Sequence, residues 1–290
     1  MQTITKEKVS FGVTPNNGNR TSQKKISGFQ EWAAVSINIV TGCSNDCKYC
    51  YAKAIFSRFK KSKGQEWKDE IIRTEAVKKG YRKCKGKVGF PSTHDITPNN
   101  LDACLIVIKK LLASGNDLLI VSKPNFECIK AVCAVAADYK DKVLFRFTIG
   151  ARDDALLGFW EPNAPTYCER ERALEYVFSK GFGTSVSMEP MIDPDNVVAT
   201  IRALAPYVTD SIWLGRMNHI PSMKDSQGLP PDQYTQNHID RIRRGQTPEK
   251  IKAIYSNLKN YPELFTMIKW KESCKKILGI EYAEEAGLDI

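Results

Sequence analysis

Apolar residues in this chain fall into two repeating patterns. Residues 34–40 (Ala34, Val35, Ser36, Ile37, Asn38, Ile39, Val40) run largely apolar, then alternate at Ile37–Val40 as a half-buried strand does. Residues 87–90, 117–121, 143–148, 184–188 and 211–214 are short runs, mostly apolar, of the kind found in parallel strands covered on both faces. Between them the apolar period changes to that of a helix, over 51–60, 100–114, 126–139, 168–180 and 196–207. The 100–114 segment sets Leu101, Cys104, Leu105, Ile108, Leu111 and Leu112 on one face. The 168–180 helix is predicted to stop at Gly181, a residue suited to the left-handed position after a helix. Six strands separated by helices predict parallel βαβ units and an α/β barrel that is only partly closed. Residues 1–28, with Pro15, Asn16, Asn17 and Gly18, read as an irregular arm, and 61–85 as a basic insertion with a helix at 66–79. Residues 221–290 are more polar and predict a helical extension, with helices near 232–244, 247–260 and 270–278. The expected division is therefore 1–28, 29–220 and 221–290.

Composition adds a location. The chain has 290 residues, 42% of them apolar, enough for a sizeable core. It lacks an apolar run of membrane-spanning length, and its first ten residues are polar, so the expectation is a cytoplasmic protein with no membrane partner. Nine cysteines, an odd number in a chain without an export signal, predict reduced thiols. Cys104, Cys128 and Cys133 lie on apolar helical faces and read as core. The net charge is +10, and the whole excess sits in residues 48–87, which hold 14 Lys or Arg and 4 Asp or Glu. Such a segment suits either a polyanionic partner or a solvated helix face.

Candidate chemistry starts in that region. Cys43, Cys47 and Cys50 follow the first strand in the polar loop that Gly42 opens, with Tyr49 before the last cysteine. Three thiolates can hold three irons of a cubane cluster and leave the fourth iron to another ligand. A zinc site with His94 as fourth ligand, or chance proximity, are the alternatives. The CxxxCxxC pattern, after a strand and before a helix, resembles the radical S-adenosylmethionine (SAM) superfamily. That resemblance implies a [4Fe–4S] cluster whose open iron binds the methionine part of SAM. It also implies reductive cleavage to a 5′-deoxyadenosyl radical, which abstracts hydrogen from a substrate. The fold it implies is a partial (β/α)6 TIM-like barrel of the radical SAM type, and it implies an electron donor such as flavodoxin or ferredoxin.

Further segments narrow the likeness. Residues 145–150, the pair Glu161 and Pro162, the pair Glu169 and Arg170, Gly181, and residues 189–192 are similar to segments of spore photoproduct lyase and its relatives. Thr93, His94, Asp95 and Ile96 resemble the TSDI stretch of that group, and Ser122 with Lys123 its Thr-Lys pair. The similarity spans about 34–215. It implies that Lys123 binds the SAM carboxylate, that Thr148 replaces a serine that donates to SAM, that Ser92 and Thr93 offer hydroxyls, and that Tyr49 lies by the adenine. One departure stands out: Ser92 occupies the place of the hydrogen-donor cysteine of the lyase, and its O–H bond is too strong for that task. Another cysteine, a tyrosine or 5′-deoxyadenosine itself would then return the hydrogen. The DNA-inserting hairpin of the lyase has no evident counterpart here.

In parallel barrels the chemistry sits at the C-terminal ends of the strands. That rule adds Glu189, Arg216, Asn218 and His219 as rim residues for substrate, or Asn218 for SAM. A Glu189–Arg216 ion pair is the structural alternative. The expected function is a radical SAM enzyme acting on nucleic acid or a nucleotide. A peptide or small-metabolite substrate, or a nucleic-acid-binding protein with a structural metal, are the other readings.

Overall fold

The computed structural model describes residues 26–59, 65–218, 220 and 229–288. The arm expected at 1–28 lies almost wholly outside the described residues, as does His219.

Among the described residues nine strands form: β1 Val35–Ser36, β2 Val40–Thr41, β3 Ile71–Ile72, β4 Val88–Phe90, β5 Leu118–Ser122, β6 Val143–Thr148, β7 Gly183–Met188, β8 Ile212–Leu214 and β9 Ile268–Trp270. Seven of them make one sheet in the order β1-β4-β5-β6-β7-β8-β9, every neighbouring pair parallel, curled into a partial barrel. The helices Leu101–Ala113, Phe126–Val135, Tyr167–Ser179 and Val197–Leu204 cross between successive strands. Leu118, Ile120, Val143, Phe145, Phe147, Val186 and Met188 belong with their buried faces to one apolar core. The barrel's other face is also buried. There Trp32, Leu119 and Trp213 pack together, and the Arg146 guanidinium lies between the rings of Trp32 and Trp213.

Side chains alternate faces along a strand. Leu119 and Val121 on β5 therefore share a face with Lys123, Leu144 and Arg146 on β6 with Thr148, Ser185 and Ser187 on β7 with Glu189, and Trp213 on β8 with Gly215. The paired registers Thr148↔Ser187, Met188↔Leu214 and Leu214↔Trp270 bring these strand ends to one level. The rim is thus a direct product of a two-residue period and a parallel register.

Three expectations change. The first strand is cut short: β1 ends at Ser36, because Asn38 and Ile39 turn their polar groups to the loop after β4 instead of continuing the ladder. The helix expected over 66–79 is a turn, the strand β3 and a short helix Thr74–Lys78. Ile71 and Ile72 pair antiparallel with Val40 and Thr41, so β-branched neighbours prevail over helical spacing. Finally, residues 268–270 of the expected helical extension add β9 to the barrel edge, and the last helix begins at Glu272. The extension also holds the helices Gln233–Gly245 and Pro248–Leu258, each capped by a side-chain oxygen, Asp232 and Thr247, and the short helix Pro262–Phe265. No helix among the described residues is long and apolar enough to cross a membrane.

Candidate active site

One cavity of about 660 Å³ opens at the C-terminal rim, and Cys43, Cys47, Cys50, Tyr49, Ser92, Thr93, Lys123, Thr148, Glu189, Arg216 and Asn218 all line it. The volume suits a small-molecule or nucleotide ligand.

The cysteine loop is fixed from several sides. Gly42 has φ +101, and a Cβ there would lie 2.3 Å from the Asp69 carbonyl oxygen and 2.7 Å from that of Trp67, so no side chain fits. The Cys43 N–H donates to the Trp67 carbonyl at 2.8 Å, and the Trp67 ring packs with Cys43, Cys50, Ala52 and Phe56. Ser44 N–H donates to Glu70 Oε1 at 2.8 Å, while Glu70 Oε2 accepts from Thr97 at 2.7 Å and Asn100 at 2.8 Å. Part of the basic insertion is therefore scaffolding for this loop. Asp46, at φ +46, pairs with Lys53 at 2.7 Å.

A second anchor is Asp95. Its Oδ1 accepts from Ser122 Oγ at 3.0 Å and the Lys123 N–H at 2.7 Å, and its Oδ2 accepts from Asn45 at 2.8 Å and faces Lys123 Nζ at 3.4 Å. Burial alone would push the Asp95 pKa up, but Lys123, its backbone N–H, Asn45 and Ser122 outweigh that and hold it below the usual value. Burial pulls Lys123 down, and Asp95 reverses this, so its ammonium stays charged.

A third chain runs from Tyr49. Its hydroxyl donates to Glu161, whose carboxylate pairs with Arg170 at 2.5 Å with both side chains fully buried. Arg170 also donates to the Thr148 carbonyl at 3.2 Å and the Pro165 carbonyl at 2.8 Å. The Glu161 and Arg170 pieces of the sequence pattern thus tie Tyr49 to the end of β6. Asn38 completes the frame: its Oδ1 accepts from the Ser92 and Thr93 N–H groups at 2.7 and 2.9 Å. Ser92 Oγ lies 2.5 Å from Ser36 Oγ, and the Tyr51 hydroxyl donates to the Ser92 carbonyl at 3.0 Å.

The metal fit rests on donor chemistry. All three thiols are free of disulfides, and Cys43 and Cys47 are buried. Burial, followed by the Asp95 carboxylate, pushes Cys43 up to about 12, and burial raises Cys47 and Cys50 as well. Such sulfurs ionise only beside a strong cation, which is what an iron cluster provides. Among the described residues no group of three or more His, Cys, Asp or Glu side chains is drawn up as a ready metal shell. The three sulfurs nevertheless face one cavity and fit a cluster by type and number. His94 does not complete a zinc site here: its Nε2 accepts from the Ile39 N–H at 3.3 Å and its Nδ1 bonds the Asp95 carbonyl at 3.0 Å.

At the far end of the cavity stand Gly28, Phe29, Trp32, Glu189, Arg216 and Glu272. Glu189 pairs with Lys271 at 3.4 Å, and the alternative Glu189–Arg216 ion pair does not form among the described residues. Lys271, fully buried on β9's continuation, also meets Glu31 at 2.7 Å and Glu272 at 3.9 Å and donates to the Gly28 carbonyl at 2.5 Å. Burial, then the neighbouring Glu272, pushes Glu31 up to about 8. Burial raises Glu189 too. The Arg216 backbone N–H donates to Ser273, while its Nε is buried without a hydrogen-bond partner among the described residues. Asn218 is exposed at the edge. Sequence reasoning missed Asn38, Asn45, Glu70, Glu31, Lys271 and Glu272. Asp95 sits in a segment the resemblance had marked, but the other partners are distant along the chain and carry no local signal.

A parallel partial barrel with three cysteines after β2, in the connection between its first two strands β1 and β4, is the architecture of the radical SAM fold. Among solved structures, the chain is similar to a spore photoproduct lyase variant with bound AdoMet and dinucleoside spore photoproduct, at TM-score 0.54 and 14% identity, covering 87% of this chain and 79% of that one. It is likewise similar to spore photoproduct lyase complexed with dinucleoside spore photoproduct, at TM-score 0.53 and 15% identity, covering 87% and 80%. The resemblance read from the sequence is borne out in the fold. No family model and no curated protein matches the chain.

Proposed function

We propose that this chain is a radical SAM enzyme that acts on a nucleic acid or nucleotide. The observation that carries this reading is the convergence of Cys43, Cys47, Cys50, Lys123 and Thr148 on one cavity whose far end is lined by unrelated polar and aromatic groups. When bound, a [4Fe–4S] cluster and SAM supply one-electron cleavage of the sulfonium and a radical that takes hydrogen from substrate. Cys43, Cys47 and Cys50 would hold the cluster. Lys123, kept charged by Asp95, would bind the SAM carboxylate through a charge-assisted hydrogen bond. Ser92, Thr93, Thr148, Tyr49 and Asn218 would line the rest of SAM. A reduced flavodoxin or ferredoxin would supply the electron.

Glu189, Arg216 and Glu272 are the substrate-facing groups, with Phe29 and Trp32 as apolar walls. Carboxylates accept from N–H groups and the Arg216 guanidinium donates, so this end suits a base or another amide-bearing ring. Support for the nucleic-acid class comes from the localised positive charge and from the dinucleoside ligands of the structural neighbours. The acidic far end favours a second reading, a small amine- or amide-bearing metabolite.

Oxygen-free protein should be brown, contain iron, and form 5′-deoxyadenosine from SAM after reduction. Binding of single-stranded DNA or RNA should weaken steeply with salt. Absence of binding, or binding indifferent to salt, would favour the metabolite.

A further inference from the structure

A base held in the main cavity leaves the phosphates of a nucleic-acid substrate to meet cations elsewhere on the same rim. A second cavity, of about 410 Å³, lies there, lined by Asp195, Arg241, Arg244, Gly245 and Lys250. We infer that this cavity is a phosphate-binding subsite.

Its construction is specific. Asp193 and Asp195 belong to the loop that leaves β7 past Glu189, so the cavity shares the rim with the site described above. Arg241 is held by the buried Asp193 carboxylate at 2.9 Å, which Asn196 also contacts at 2.8 Å. That contact uses Nη2 and leaves Nε buried with no hydrogen-bond partner. Lys250 pairs with Asp195 at 2.5 Å. Arg244 has no hydrogen-bond or ion-pair partner among the described residues. A Cβ on Gly245 would lie 2.6 Å from Pro194 Cγ, so only glycine lets the helix end approach this loop. Three cations and one carboxylate thus line the concave space, Asp193 outside the lining holds Arg241, and the Arg244 guanidinium is unspent. Planar guanidinium groups present paired N–H donors that match phosphate oxygens.

The helix carrying these arginines also reaches the cysteine loop. His238 stacks on Phe159 with centroids 3.8 Å apart, and Lys48 lies 3.6 Å over the same ring. From His238 to Arg244 is about 9 Å along the helix axis, at roughly 1.5 Å per residue. A strand with its reacting unit in the main cavity would find a phosphate contact along this helix. The phosphate source is a nucleic-acid backbone or a free phosphate, and the backbone source rests on the function proposed above.

Two probes separate these, each applied to wild type, Arg244→Gln and Lys250→Gln. The first is inorganic phosphate against chloride at equal ionic strength, read as a shift in thermal midpoint. The second is a 12-nucleotide single strand, read as affinity against salt. Phosphate is expected to raise the wild-type midpoint and to do less in either variant. Log affinity for the oligonucleotide should lose about one unit of salt slope in Arg244→Gln. If phosphate acts through the pocket while wild type binds no oligonucleotide, the subsite stands with free phosphate as its ligand and the nucleic-acid reading falls. If wild type and both variants respond alike to phosphate and show one salt slope, the subsite is overturned, whether or not the strand binds elsewhere.

Discussion

The two ends of the main cavity are built on different physics. At the cysteine end, Asp95 meets Ser122, Asn45 and Lys123, Tyr49 meets Glu161, and Glu161 meets Arg170, so the polar side chains there are locked before any ligand arrives. At the far end, Glu31, Glu189 and Glu272 gather round the ammonium of Lys271, burial holds Glu31 and Glu189 above their usual pKa, and Arg216 Nε has no hydrogen-bond partner among the described residues. A locked site suits a ligand that is the same in every turnover. An end with raised carboxyl pKa values and an unpartnered guanidinium Nε suits a ligand that completes its hydrogen bonds. The proposed function draws on this contrast in giving cofactor to the first end and substrate to the second.

The largest effect should come from the cysteines. Cys43→Ala, Cys47→Ala or Cys50→Ala should abolish iron retention and 5′-deoxyadenosine formation, measured on oxygen-free protein. Retained iron and activity in any one of them would remove that sulfur from the site. Next is Asp95→Asn, which leaves Lys123 buried beside a neutral amide. The expected loss is about 3–5 kcal/mol in urea unfolding, as for other broken buried pairs. A loss under about 1 kcal/mol would mean that the cysteine end is no more locked than the far end. Gly42→Ala forces a left-handed residue and a clash with two carbonyls, so a cost of at least about 1–3 kcal/mol is expected, with less iron bound.

A pH dependence is expected at the far end. Glu31 carries its proton up to about pH 8 in the folded chain but ionises near 4.5 when unfolded. The folded state therefore holds the extra proton between those values, and stability falls as pH rises through that window. Glu31→Gln removes the titration, so its unfolding free energy should change less than wild type between pH 5 and pH 9. Parallel pH profiles for the two proteins would show that Glu31 does not hold its proton above the usual carboxylate range.

What could be read from the sequence follows the same division. β6 was legible to the residue, because Val143–Thr148 is buried on both faces and its apolar run needs no partner to be recognised. The cysteine loop and Lys123 were legible from spacing and from their place after strands. Lys271 was not: it acts through Gly28 and Glu31, some 240 positions away, and short β9 has too few residues to show a period. Nor was the scaffolding role of Trp67 and Glu70, hidden inside a basic stretch whose average character suggested a binding surface. Local periodicity reveals strands and loops, whereas a shared counter-charge exists only after the chain has closed on itself.

The most direct measurement is 5′-deoxyadenosine formed from SAM by reduced, oxygen-free protein, alongside its iron content. The account predicts iron in the wild type and nucleoside release that vanishes in Cys50→Ala. Zinc in place of iron, with no nucleoside from the wild type, would contradict it.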